Sequence, residues 1–127
     1  MRRRPLRARF LYRLPDRVSE RLPSSLLASV LIRRVHDAGG FAAVRAKGDP
    51  QSGALLLLTV SRDGPVRVFE RGLGPSGQAT VIESTPKDTS ADAVEAYWRR
   101  RRDRDPDLWV IELDVPDAER FAAETML

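Results

Sequence analysis

The chain has no cysteine and one histidine, His36. That excludes disulfides and a thiolate zinc site, and one imidazole is too few for a histidine-based site. Lysine is scarce: Lys47 and Lys87 stand against twenty arginines. Aromatic residues make up 6% of the 127 positions and are dispersed, so they form no base-stacking platform. No window approaches the ~18 apolar residues of a membrane-spanning helix. There is no G-x-S-x-G, and His36 has no evident partner for a nucleophilic triad. The glycine-rich stretch Gly72–Gly77 lacks both the G-x-G-x-x-G spacing and the lysine of a phosphate loop. The sequence therefore reads as non-enzymatic, with no cofactor and no metal site expected.

Charge is present but unevenly placed. Residues 1–17 hold seven arginines and one acid, Asp16; the remaining 110 residues hold 15 basic and 17 acidic groups. The net charge of +4 thus belongs to the tail and not to the domain. Residues 1–17 are expected to be a disordered, solvated tail, or to be left out by initiation at Val18. The remainder, 18–127, is expected to form one domain. A chain near this length buries roughly two thirds of its unfolded surface.

The stretch Gly53–Gly64, GALLLLTVSRDG, organises the rest. Leu55, Leu56, Leu57, Leu58 and Val60 form a short, nearly continuous apolar run, the pattern of a strand covered on both faces. Before it, Pro23-Ser24-Ser25 opens a helix with Ser24 or Ser25 as N-cap. The helix has a stripe of Leu27, Val30, Leu31, Val35 and Ala38, and Gly39-Gly40 ends it. His36 falls in the last turn, against the helix dipole. Phe41–Ala46 reads as a strand, followed by the loop Lys47–Ser52. After the central strand, Asp63-Gly64 tips a hairpin into Val66–Arg71. Ala79–Ser84 is a fourth strand. Thr89-Ser-Ala-Asp92 matches a capping box and starts a second helix, with Ala91, Val94, Tyr97 and Trp98 inward, that must stop before Asp105-Pro106. Leu108–Val115 is apolar on both faces and belongs well inside the sheet. A short helix from Pro116-Asp117 through Phe121 closes the chain, with fraying ends. The expected class is α+β: a mostly antiparallel mixed sheet of about five strands with helices packed on it, in the order α-β-β-β-β-α-β-α. Short connections place the first four strands as antiparallel neighbours.

Candidate binding residues come from two stretches. The run Arg99–Arg104 carries Arg99, Arg100 and Arg104 beside Asp105, Asp107 and Trp109. Four consecutive arginines suit phosphates, but successive helix positions point about 100° apart and cannot form one patch. The loop Lys47–Ser52 adds Lys47 and Asp49. Among the acids, Asp49, Asp63, Asp105, Asp107, Glu112 and Asp114 sit at strand ends or in flanking loops, where a pair could bind Mg²⁺ for phosphodiester chemistry. The restriction-endonuclease motif, however, needs a lysine where Asp114 stands.

The segments Leu31-Ile-Arg-Arg-Val35, Gly39-Gly-Phe-Ala-Ala-Val44, Lys47-Gly-Asp49, Ser52-Gly-Ala54 and Arg104-Asp-Pro-Asp-Leu-Trp-Val-Ile-Glu112 carry a likeness. On them, from about Leu22 to residue 121, the chain resembles a small alphaproteobacterial family, domain of unknown function number fourteen ninety-one. The resemblance implies a bacterial cytoplasmic protein and directs attention to the KGD and DPDLW segments. It implies no activity.

The functional expectation is a protein-interaction or self-assembly module. It would act through a sheet edge or through an exposed face around Arg67, Phe69 and Arg71. The alternatives are nucleic-acid binding through the tail and Arg99–Arg104, then a metal-dependent nuclease-like hydrolase.

Overall fold

The computed structural model describes residues 22–62 and 64–127; the arginine-rich tail, the proposed start at Val18 and Asp63 at the hairpin tip lie outside the described residues. The elements are α1 (Ser24–Asp37), β1 (Phe41–Ala46), β2 (Leu55–Thr59), β3 (Arg67–Leu73), β4 (Ala79–Glu83), α2 (Ala91–Arg104), β5 (Trp109–Asp114) and α3 (Ala118–Met126). Both the α+β class and the element order match the sequence reading.

One five-stranded sheet has the order β1-β5-β2-β3-β4. β2 pairs with β3, and β3 with β4, as antiparallel neighbours. β1 and β2 are not neighbours, contrary to the expectation from their short connection. β5 inserts between them, antiparallel to β1 and parallel to β2. The physical reason lies in the side chains of β5: Val110, Ile111 and Leu113 are fully buried, so the strand needs cover on both faces and at both edges. β4 runs parallel to β5 with two strands between them, so the connection must be a crossover, and α2 supplies it.

The two faces carry separate cores. On one, Leu55, Leu57, Phe69, Trp109, Ile111 and Leu113 pack against α1 and α3. On the other, Leu56, Leu58, Val68, Leu108 and Val110 pack against Val94 and Trp98 of α2. The expectation that β2 and β5 are covered on both faces is thus met.

Several local expectations are corrected. Neither Ser24 nor Ser25 caps α1 with its side chain; their backbone N–H groups donate to the Gln51 and Pro50 carbonyls (3.2 and 2.9 Å). A neighbouring loop satisfies the helix start, so no side-chain cap is required. The buried stripe of α1 is Ser24, Ala28, Leu31 and Val35, while Val30 and Ala38 are exposed. Gly39, at φ +85°, ends the helix as expected. The cap of α2 is Ser90, one residue beyond Thr89: its hydroxyl accepts from Ala93 N–H at 3.2 Å. His36 accepts the Ala42 N–H through Nε2, which ties the end of α1 to the start of β1. α3 continues past Phe121 to Met126, which is buried against the first core.

Candidate functional site

The two segments singled out from the sequence meet in space. The loop from Lys47 to Ala54 must cross the width of β5 to carry the chain from β1 to β2, a step of roughly 10 Å. It does so by straddling the start of β5. Asp49 N–H donates to the Asp107 carbonyl (3.0 Å), and Trp109 N–H donates to the Ala54 carbonyl (2.8 Å). The Trp109 indole Nε1–H donates to the Asp49 carbonyl at 2.8 Å. Gly48 and Gly53 both lie close against the Asp107 carbonyl: a Cβ on either would lie 2.0 Å from that oxygen. Arg102 locks the corner, donating through Nη1 to the Lys47, Pro106 and Leu108 carbonyls (2.8, 3.0 and 2.9 Å).

Lys47, Asp49, Asp107 and Trp109 are therefore brought together, and the corner is held by the Lys47, Asp49 and Asp107 carbonyls, the Asp49 carboxylate and the Trp109 indole. The Asp49 carboxylate accepts the N–H groups of Ser52 and Gln51 and the Ser52 hydroxyl. Those bonds, led by the Ser52 N–H, hold its pKa below the ordinary carboxylate value. Asp105 accepts the Asp107 N–H through its side chain and shapes the turn after α2. Trp109 is 4% exposed and belongs to the core.

The arginine run fans out as its helical spacing requires. Arg99 pairs with Glu95, one turn back on α2. Arg101 forms a two-pronged contact with Glu70 of β3, at 2.8 Å on each prong, and touches the Tyr97 hydroxyl. Arg100 and Arg104 are exposed. Arg45 joins the network, bridging Glu95 and Glu112, and its guanidinium lies over the Trp98 ring. Arg99 and then Arg45 hold the Glu95 pKa below its ordinary value. Of the six candidate acids, Asp63 lies outside the described residues, and among those residues no group of three or more metal-ligating side chains is placed to hold an ion.

A cavity of about 370 Å³ opens beside the corner, lined in part by Leu22, Leu27, Leu55, Met126, Ser24 and Ser52. The N-terminus of α1 offers it no anion site, because the first N–H groups of that helix already donate to loop carbonyls. The Ser24 hydroxyl likewise donates to the Gly53 carbonyl.

The expected contact face around Arg67, Phe69 and Arg71 is not realised in that form. Phe69 is 4% exposed. Arg67 covers its ring at 4.9 Å and is ion-paired to Glu83 and Glu119.

The sheet edges differ from each other. The β1 edge exposes Phe41 and Val44, but its register shifts between Val44 and Ala46, and Arg45 is tied into the network with α2. Such a bulge and a charge blunt an edge. The β4 edge pairs with β3 in five regular steps from Glu83 to Ala79, with no shift. Its residues Ala79, Thr80, Val81 and Ile82 carry no charge, and three of them are β-branched. Sequence reasoning raised edges in general; it missed β4 in particular, because nothing local says which strand ends a sheet.

The family described as "Protein of unknown function (DUF1491)" matches residues 22–123. No curated protein matches the chain. A crystal structure of a DUF1491 family protein from Caulobacter crescentus CB15 is 33% identical, with a TM-score of 0.70, covering 79% of this chain and 94% of that one. An NMR structure of a DUF1491 family protein from the same organism is also 33% identical, with a TM-score of 0.67 and coverage of 79% and 91%. A solution structure of a protein from A. tumefaciens is 30% identical, with a TM-score of 0.65 and coverage of 84% and 92%. The family match spans most of the chain, and these relatives share its fold over nearly their whole length: this protein belongs to the DUF1491 family.

Proposed function

We propose that this domain is a non-enzymatic protein-interaction module that receives an extended segment along the open edge of β4. One observation carries the reading: β4 is a regular edge without bulge, proline or charge over Ala79–Ile82, whereas β1 is bulged and ion-paired. Natural sheets usually protect their edges, and an edge left regular and uncharged is suited to strand addition. The Asp49 carboxylate and the Trp109 indole support the same reading, since both are committed to contacts within the corner.

The test compares the tagged full-length chain with its Val81→Pro variant in lysate of the native cell, with and without nuclease. Proline is tolerated on an edge strand whose N–H faces outward, so the variant should fold. The expected result is a stoichiometric protein partner that survives nuclease and is lost with Val81→Pro. Capture that is unchanged by the variant, or that depends on nucleic acid, refutes the reading.

A further inference from the structure

We infer that the segment received by β4 is β4 of a second copy of this chain, antiparallel and related by a two-fold axis through Val81. This rests on the edge reading above and specifies its occupant.

The hydrogen-bond phase of the ladder supports it first. Ser84 N–H donates to the Val68 carbonyl at 2.8 Å. In an antiparallel pair the bonded and non-bonded positions alternate. The pairs Glu70/Ile82 and Gly72/Thr80 are therefore the bonded ones on the β3 side. Ala79, Val81 and Glu83 turn their N–H and C=O groups toward the open side. Val81 is the midpoint of the strand and lies in this outward set, so an axis there lets the two strands exchange up to about six backbone hydrogen bonds.

The side chains fit the same register. Val81 faces its own counterpart, Thr80 faces Ile82 of the other copy, and Glu83 faces Ala79. No like charges are opposed, and the β-branched pairs are favourable neighbours. Ile82 is 40% exposed on this strand and would gain a neighbour. Other axes do worse. One at Glu83 sets two carboxylates face to face. One at Ala79 runs β4 against the turn at Gly74–Gln78. Axes at Thr80 or Ile82 shorten the overlap. An uncharged, β-branched edge selects a strand of the same kind, and β4 itself is such a strand.

Sedimentation velocity of the full-length chain over a wide concentration range tests this, with Ala79→Glu, Ala79→Lys and Val81→Pro alongside. A reversible monomer–dimer equilibrium is expected. Ala79→Glu would set a carboxylate against Glu83 of the other copy and weaken the dimer several-fold. Ala79→Lys would set an ammonium there and tighten it. Val81→Pro would abolish it while the thermal melt shows a folded domain. A chain monomeric at every concentration overturns the inference, as does a dimer indifferent to the sign of the charge at position 79. If the chain is monomeric but Val81→Pro still loses a partner from lysate, only self-pairing fails. If the variant changes neither experiment, the edge reading fails as well.

Discussion

The indole N–H of Trp109 and the backbone carbonyl of Asp49 are hydrogen-bonded at 2.8 Å, across sixty positions of sequence. That bond joins the loop leaving β1 to the strand that separates β1 from β2. It makes the corner part of the fold's wiring, since β5 can lie between the two strands only if the loop passes over its start.

The two tryptophans should therefore respond differently to the same change. Trp109→Phe leaves the Asp49 carbonyl without its indole donor and should cost about 1–3 kcal/mol. Trp98 Nε1 is buried and has no hydrogen-bond partner among the described residues. In Trp98→Phe the relief of that group offsets the lost ring volume, and the net change should stay within about 1 kcal/mol. Urea denaturation of the two variants checks the contrast.

Gly48→Ala and Gly53→Ala should each destabilise the protein by about 1–3 kcal/mol, because the added Cβ meets backbone and not a movable side-chain end. Gly77→Ala serves as the contrast: no atom lies within 4 Å of a Cβ there, although its φ of +83° adds local strain. Thermal melts of the three variants would show whether the close approach to Asp107 dominates.

Arg102→Ala removes the donor shared by three carbonyls and should cost about 2–3 kcal/mol. Arg102→Lys should recover only part of that loss, because a flexible ammonium does not reproduce the planar guanidinium's placement. Arg100→Ala, at an exposed site, should change stability by no more than about 0.5 kcal/mol. Equilibrium unfolding of the three variants provides the comparison.

Acid should destabilise the domain over a defined range. Arg67, then the Thr85 hydroxyl, hold Glu83 at a pKa of about 2, against an ordinary 4.5. Arg101, then the Ser84 hydroxyl, lower that of Glu70. A carboxylate whose folded pKa is depressed contributes stability above its unfolded value and loses it as pH falls through the folded one. The melting temperature should therefore fall as pH drops from about 4.5 toward about 2. The double variant Glu70→Gln/Glu83→Gln should flatten that limb. Added salt should reduce the Glu83 share more than the Glu70 share, because Glu83 is the more exposed of the two.

Much of the fold was legible because its signals are local. The run Leu55–Leu58 announced a doubly covered strand, and all four leucines are buried. Leu108–Val115 read as an inner strand for the same reason, and β5 lies between two partners. Gly39 marked a helix end by the backbone freedom it supplies. The cap of α1 was misread because a serine suggests its own side chain as acceptor, whereas the carbonyls that serve there lie some 25 residues downstream. Lys47 and Asp49 read as one stretch and Asp107 and Trp109 as another; that the Asp49 and Asp107 backbones meet, and that the Trp109 indole reaches the Asp49 carbonyl, is a long-range relationship that no local spacing shows.

Which segments form strands and helices, which faces are apolar, and where the basic charge is concentrated could be read along the chain alone. Those properties follow from periodicity and composition along a few consecutive residues. Only long-range packing placed β5 between β1 and β2, closed the corner through Arg102 and backbone oxygens, and set β4 at the end of the sheet among the described residues. Each of these depends on partners brought together from distant parts of the chain by the burial of a strand apolar on both faces.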